Sequence, residues 1–230
     1  MDNQHSALNA RKQQATPRGV GVMCQWYAEK AENATLWDKE GNQFIDFAGG
    51  IAVLNTGHRH PKVIAAVTEQ LTKFTHTAYQ VTPYESYVAL AERINERAPI
   101  AGPAKSAFFT TGAEAVETAI KAARRWAYDV KGIEPNKAEI IAFNGNFHGR
   151  TMAPVSLSSE PEYQRGYGPL LDGFRKVDFG DIEAVKAAIN ENTAAILIEP
   201  IQGEAGINVP PEGYLKAIRE LCDDHPISYL

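Results

Sequence analysis

The sequence has little of what a disulfide-stabilised, membrane-spanning or nucleic-acid-binding protein needs. Its 230 residues contain two cysteines, Cys24 and Cys222, far apart in the chain, so we expect no disulfide framework and a reducing, cytoplasmic setting. No apolar run approaches the roughly 20 residues that cross a bilayer, and residues 1–14 are too polar for a signal peptide. The net charge of −5 argues against nucleic acid as the main partner.

The sequence also lacks the common nucleotide-binding motifs, since neither G-x-G-x-x-G nor the P-loop pattern occurs. His58 and His60 suggest a metal site, but no third ligand of suitable spacing is nearby. Pro61 fits the first position of a helix over residues 62–74 and explains this stretch locally. We therefore predict no metal site.

With 44% hydrophobic and 22% charged residues, the composition is that of a globular protein with a sizeable core. Residues 35–37 and 43–47 flank a loop that contains Gly41, a pattern that predicts a β-hairpin. Residues 47–56 are small and apolar and predict a closely packed loop. Amphipathic helices are expected over residues 62–74 and 84–97.

From residue 104 onward the pattern alternates between strands and helices, which predicts an α/β fold with a mostly parallel sheet and flanking helices. In such sheets, ligands bind beyond the carboxyl ends of the strands. The predicted strands are residues 107–110, 140–143, 174–177 and 194–198, and the predicted helices are residues 113–128, 182–190 and 213–224.

Polar residues follow three of these strands. Thr111 and Glu114 have the spacing of a capping box, so a helix is expected to begin here and to offer free N–H groups to a phosphate. After the next strand, Phe147 and His148 offer flat faces and Arg150 offers a fork for a carboxylate. Glu199 and Glu204 follow the strand at 194–198. Each group alone also fits an ordinary turn, but together they predict one site.

These residues resemble the N-terminal part of a class III aminotransferase, an enzyme of fold type I that depends on pyridoxal phosphate. The resemblance runs from about residue 16 to residue 225, and the order and spacing of its blocks make it specific. The blocks are Asp46-Phe47-Ala48-Gly49-Gly50-Ile51, Asn55-Thr56-Gly57-His58, Thr111-Gly112-Ala113-Glu114-Ala115, Phe147-His148-Gly149-Arg150-Thr151 and Glu199-Pro200-Ile201-Gln202-Gly203-Glu204.

The resemblance implies a role for each of these groups. The backbone of Gly112 and Ala113, after Thr111, would bind the cofactor phosphate, while Phe147 would stack on the pyridine ring. The other implied residues are His148 and Glu199 beside the cofactor, Arg150 on a substrate carboxylate, Glu204 on a second substrate-binding arginine, and Ile51 and Gln80 in the substrate pocket. The full-length parent would be a homodimer acting on a small-molecule amino donor and a 2-oxo acid.

The two halves of the chain resemble two different subfamilies. Residues 15–116 look like 4-aminobutyrate transaminases, and the chain after about residue 120 looks more like ornithine transaminases. An isoleucine at position 51 leaves an apolar wall that suits 4-aminobutyrate, which has no α-amino group. We therefore expect 4-aminobutyrate, or a related ω-amino compound, as the amino donor to 2-oxoglutarate. Ornithine or acetylornithine is the alternative.

The resemblance also implies groups that this sequence does not contain. The lysine that forms the Schiff base and the aspartate that holds the pyridinium nitrogen would follow the strand expected just after His225. We therefore expect an incomplete large domain over residues 61–230, a hairpin-bearing N-terminal segment of the small domain over residues 1–60, and no transamination by the chain alone. The other hypotheses are a non-catalytic fragment or dimerisation partner, and an α/β domain of unknown role.

Overall fold

The computed structural model describes residues 4–230, so residues 1–3 of the polar N-terminal stretch lie outside the described part. The chain divides into two compact units, Met1–Leu90 and Ala91–Leu230. This division comes about 30 residues after the boundary expected at residue 60, and the assignment of small and large domains stays a prediction. No helix among the described residues is long and apolar enough to cross a membrane.

The described residues of the first unit form a three-stranded antiparallel sheet and helices, with the last helix, α4, beginning at Glu85. The predicted hairpin is confirmed, because Leu36 of β2 pairs with Phe44 of β3. The third strand, β1, was not predicted, since its Ala-Glu-Lys-Ala-Glu sequence shows no apolar alternation. The elements are α1 (Gln4–Ala15), β1 (Ala28–Glu32), β2 (Thr35–Asp38), β3 (Gln43–Ile45), α2 (Gly49–Ala52), α3 (Pro61–Leu71) and α4 (Glu85–Asn95).

The loop predicted over residues 47–56 contains one helical turn, α2, whose backbone is left-handed. The φ angles of Gly49, Gly50, Ile51 and Ala52 are 51°, 65°, 61° and 60°. A β-branched residue rarely adopts this conformation because its side chain crowds the backbone. The turn is supported by Asp46, whose Oδ1 accepts from the N–H groups of Ala48 and Gly49 at 3.1 and 2.9 Å.

The second unit is a parallel sheet with helices on both faces, as the alternating pattern predicted. Its strands lie in the order β5-β4-β6-β7, and every neighbouring pair is parallel. The elements are α5 (Gly112–Trp126), a π-helical turn (Ala127–Lys131), β4 (Glu139–Phe143), α6 (Met152–Leu157), α7 (Pro161–Gln164), β5 (Phe174–Val177), α8 (Ile182–Ala188), β6 (Thr193–Ile196), α9 (Tyr214–Asp224) and β7 (Ser228–Tyr229).

Strand β4 is buried on both faces and divides the core into two layers. Ile141 and Phe143 pack with residues of α8 and α9 on one face. Ile140 and Ala142 pack with residues of α5 and α6 on the other. This explains why β4 and β6 are continuous apolar runs, since a central parallel strand has no solvent-facing side.

The prediction of a strand over residues 107–110 is wrong. Residues 103–109 have neither helix nor strand structure, and Phe109, expected to be buried, is 45% exposed. A strand needs a neighbour for its backbone hydrogen bonds, and none of the four described strands of this sheet pairs with the segment. The apolar run shows that these side chains favour a strand, but a local sequence pattern does not provide the neighbouring strand.

Candidate active site

The site begins at the N-terminus of α5, where the predicted capping box is confirmed. The Thr111 hydroxyl accepts from the Glu114 N–H at 3.2 Å, and the Glu114 carboxylate accepts from the Thr111 N–H at 2.8 Å. The N–H groups of Gly112 and Ala113 follow in the first turn, where no preceding turn supplies carbonyl acceptors. A side chain added at Gly112 would meet no atom within 4 Å, so the space beside this turn is open.

The loop after β4 packs directly on this turn through Gly149. Its φ angle is 117°, and an added Cβ would lie 2.9 Å from the Cβ of Ala113. Only glycine permits both the backbone conformation and this approach. The two segments predicted to hold a phosphate and to face a ring therefore meet at the same edge of the sheet.

Glu199 joins the loop after β6 to the loop after β4. One carboxylate oxygen accepts from the Phe147 N–H at 3.0 Å, and the other accepts from the Gly203 N–H at 3.3 Å. A half-buried carboxylate with backbone donors on both oxygens is well satisfied. The structure thus shows Glu199 holding the backbone of Phe147, whereas the sequence suggested only an acid near a cofactor.

His148 is mostly buried, and its Nε2 finds no hydrogen-bond partner among the described residues. Burial lowers the pKa of His148, and the nearby Glu199 carboxylate only partly opposes that shift. Burial therefore favours the neutral form of the imidazole. A buried ring nitrogen without a partner is costly, so His148 Nε2 is a candidate to contact a bound ligand.

Arg150 lies against two aromatic rings. Its guanidinium carbon is 4.2 Å from the ring centre of Tyr163 and 5.6 Å from that of Phe147. Met152, Val155, Glu162 and Tyr167 complete a cavity of about 160 Å³ around it. Among residues 4–230 no carboxylate forms an ion pair with Arg150, so its donors are available to an anion.

Of the remaining predicted residues, Glu204 follows Gly203 in the second unit, and Ile51 and Gln80 belong to the first unit. Glu204 is exposed in the loop between Gln202 and Asn208, whose backbones are joined by two hydrogen bonds of 3.0 and 2.9 Å. Ile51 is 86% exposed in the left-handed turn of the first unit, and Gln80 is exposed in a turn of the same unit. Each imidazole of the disfavoured metal site has a local partner, Asp46 for His58 and the Lys62 N–H for His60.

Three residues that support the site were not predicted. Gln202 is buried and donates to the Asn144 carbonyl at 2.7 Å, which ties the loops after β4 and β6 together. Tyr163 provides the nearer ring against Arg150. Glu117 contacts the segment after Arg150 from α5. Gln202 lies in a block quoted for the resemblance, but Tyr163 and Glu117 carry no signal in the sequence.

The residues present fit pyridoxal phosphate. The first turn of α5 offers backbone donors and the positive end of a helix dipole to a phosphate. Phe147 offers a ring face. Within residues 4–230, the buried Nε2 of His148 has no hydrogen-bond partner and Arg150 forms no ion pair.

Comparison with known proteins agrees with this arrangement. Ornithine aminotransferase 2 of Staphylococcus saprophyticus is 67% identical over 201 residues, which are 87% of this chain and 50% of that protein. Among solved structures, an ornithine aminotransferase from Toxoplasma gondii superposes with a TM-score of 0.92 at 35% identity, covering 99% of this chain and 53% of that one. An acetylornithine aminotransferase from Elizabethkingia anophelis gives 0.79 at 30% identity, covering 99% and 52%.

The chain spans about half the length of the curated relatives it matches. A match of 201 residues is also too long to lie only in the part after residue 120, so the similarity to one ornithine aminotransferase extends well into the N-terminal half. The family model described as "Aminotransferase class-III" matches residues 15–229. The chain therefore belongs to the class III aminotransferases, a family of enzymes that depend on pyridoxal phosphate.

Proposed function

We propose that this chain provides the phosphate-binding and carboxylate-binding part of an aminotransferase that takes an amino group from ornithine and gives it to a 2-oxo acid. The relatives named ornithine aminotransferase support this choice over 4-aminobutyrate, which the sequence suggested through Ile51. Acetylornithine stays as a related donor, because one structural neighbour carries that name.

The observation that carries the proposal is the setting of Arg150. The guanidinium has no acidic partner in the described chain, lies over two aromatic rings and follows Gly149, which packs on the first turn of α5. The Arg150 guanidinium, which can bind a carboxylate, is thereby attached to the helix whose first N–H groups can bind a phosphate. A substrate that carries a carboxylate and a cofactor that carries a phosphate fit this combination.

In this proposal each residue has a physical role. The N–H groups of Gly112 and Ala113 bind the phosphate, and Phe147, fixed by Glu199, packs against the cofactor ring. Burial lowers the pKa of His148 and so favours its neutral form beside the ring. When bound, pyridoxal phosphate supplies the electron sink that amino-group transfer requires. Arg150 orients a substrate carboxylate.

The roles of Ile51, Gln80 and Glu204 in the substrate pocket are also proposals. All three are exposed in the described chain and therefore available to a substrate or to another subunit. Glu204 forms no ion pair among residues 4–230, as expected of an acid that pairs with an arginine outside this chain.

The test is a chimera in which residues 1–230 continue into the C-terminal half of the Staphylococcus saprophyticus relative, assayed with ornithine, acetylornithine and 4-aminobutyrate. We expect the highest kcat/KM for ornithine with 2-oxoglutarate as acceptor. Arg150→Lys should reduce kcat/KM for 2-oxoglutarate about 100-fold, because the bidentate fork is lost. Arg97→Lys is the matched control, since the Arg97 side chain is 70% exposed and away from this cavity. A preference for 4-aminobutyrate would overturn the substrate assignment.

A role as a dimerisation partner is supported by a different observation. Val63, Val67 and Leu71 lie on one side of α3 at a spacing of four residues, and all are at least half exposed. An apolar stripe of this kind is typical of a surface that another protein covers. We propose a homodimer for the complete enzyme, and sedimentation of the chimera tests it, with a monomer as the contrary result.

A further inference from the structure

Arg150 lies between two residues that both contact α5. On one side, Gly149 packs on Ala113 in the first turn of that helix. On the other side, the Thr151 hydroxyl donates to the carboxylate of Glu117 at 2.6 Å. The backbone that carries the proposed substrate arginine is therefore attached to the proposed phosphate-binding helix before and after Arg150.

The Glu117 carboxylate also completes the start of α6. Its Oε1 accepts from the Ala153 N–H at 3.1 Å as well as from Thr151. Thr151 occupies the N-cap position of α6 but makes no capping hydrogen bond with its own side chain. Glu117 thus supplies, from another helix, the negative charge and the acceptor that the beginning of a helix favours.

Residues 153–157 of α6 are all buried, so packing restrains this short helix once hydrogen bonds hold its first turn. On α5, Glu117 follows Gly112 and Ala113 by about one turn. A single carboxylate therefore joins the helix that offers the phosphate donors to the segment that presents the guanidinium.

We propose that Glu117 is a positioning residue, which sets the distance between the phosphate-binding amides of α5 and the carboxylate-binding guanidinium of Arg150. This inference rests on the proposed function for the identity of the two ligands. Its structural part, the attachment of residues 149–153 to α5, does not depend on any ligand. Glu117 itself need not touch cofactor or substrate.

The test uses the intact chain with Glu117→Ala and the conservative Glu117→Gln. Glu220→Ala is the matched control, since Glu220 is an exposed helical glutamate that forms a surface ion pair with Lys216 at 3.7 Å. Amide-resolved hydrogen exchange should be about tenfold faster at Ala153 in Glu117→Ala, because a hydrogen bond to a charged acceptor is lost. Glu117→Gln and Glu220→Ala should stay within about twofold of the unsubstituted chain, because the amide oxygen of glutamine still accepts.

The second measurement is equilibrium binding of pyridoxal phosphate, and of 2-oxoglutarate at saturating pyridoxal phosphate. Glu117→Ala should weaken the binding of 2-oxoglutarate about tenfold and change the binding of pyridoxal phosphate less than about twofold, whereas Glu117→Gln should bind both ligands as the unsubstituted chain does. A merely structural role would weaken both ligands together and would not show this separation.

The outcomes distinguish the two proposals. If the unsubstituted chain binds neither probe, the proposed function fails for this chain, while the exchange rate at Ala153 still decides the inference about Glu117. Unchanged exchange at Ala153 in Glu117→Ala, or an equal loss of both ligands that Glu117→Gln does not restore, would overturn it.

Discussion

Every buried hydrophobic residue of the described chain lies in the second unit, between Ile120 and Ile227, whereas in the first unit only His5 and Asp38 are buried. The second unit is built around β4 and β6, whose side chains pack on both faces of the sheet. The first unit exposes the apolar residues of α3 and α4. The two units therefore depend on different interactions.

The first unit is held together around carboxylates that accept several hydrogen bonds each. Asp38 accepts from the backbone of Glu40 and from the backbone and side chain of Asn42, and it contacts His5 at 3.2 Å. Asp46 accepts from the backbone at the start of α2 and lies 2.7 Å from His58. Such contacts fix local geometry, but they bury little apolar surface, which is the main driving force of folding. The comparison indicates that the first unit needs a covering surface more than the second does.

The largest effect is expected from a cavity in the second unit. Ile196→Ala removes a fully buried side chain of β6 and should lower the free energy of unfolding by about 2–5 kcal/mol. The matched substitution in the first unit is Val67→Ala, at a residue that is 51% exposed, and it should cost less than about 1 kcal/mol. Denaturant unfolding of both variants measures these changes, and an equal loss of unfolding free energy in the two variants would contradict the difference between the units.

A smaller and local effect is expected from the polar support of the left-handed turn. His58→Ala removes the imidazole that contacts Asp46, and the amide hydrogens of Gly49 and Ala52 should then exchange about tenfold faster. His60→Ala is the matched control, because within residues 4–230 the hydrogen-bond partner of that imidazole is the Lys62 N–H at the start of α3. Equal acceleration in both variants would show that the Asp46–His58 contact does not hold the turn.

The pH dependence of the first unit should follow Asp38. Burial raises its pKa, but hydrogen bonds from Asn42, Glu40 and His5 together lower the pKa of Asp38 from 3.8 to about 2. A carboxyl with a lower pKa in the folded state stabilises the fold above its unfolded pKa, and this contribution is lost as pH falls from about 4 towards 2. Asp38→Asn should flatten the decline of stability in that window, measured by acid titration of circular dichroism. Asp224→Asn, at an exposed position, should leave the decline unchanged, and the same result for both variants would contradict the prediction.

The smallest perturbation is chemical labelling of the two cysteines. Cys24 is exposed in the first unit, whereas Cys222 is buried in α9 and burial raises the pKa of its thiol to about 11. Because the thiolate is the reactive species, iodoacetamide at pH 8 should modify Cys24 and leave Cys222 intact until the second unit unfolds. Mass spectrometry of the labelled chain measures this, and early labelling of Cys222 would show that the second core opens locally.

The sequence predicts β4, β5, β6 and the major helices well, because continuous apolar runs and helical spacing reflect the burial that each element achieves. It fails at residues 107–110, since strand formation depends on a partner that a local pattern does not encode. In the site, the capping box of Thr111 and Glu114 is a local signal and is confirmed. The contact of Glu117 with Thr151 joins residues 34 positions apart, and only the packing of α5 on α6 brings them together.

The left-handed turn at Gly49–Ala52 has a consequence for which substitutions the chain tolerates at position 51. An isoleucine held at a φ of 61° works against its own backbone preference by roughly 1 kcal/mol or more. Glycine or asparagine would relieve that conflict but would remove the apolar side chain. A substitution at this position therefore either relieves the backbone strain or keeps the apolar side chain. A library of variants at residue 51 that is sorted once for thermal stability and once for substrate use should enrich different amino acids.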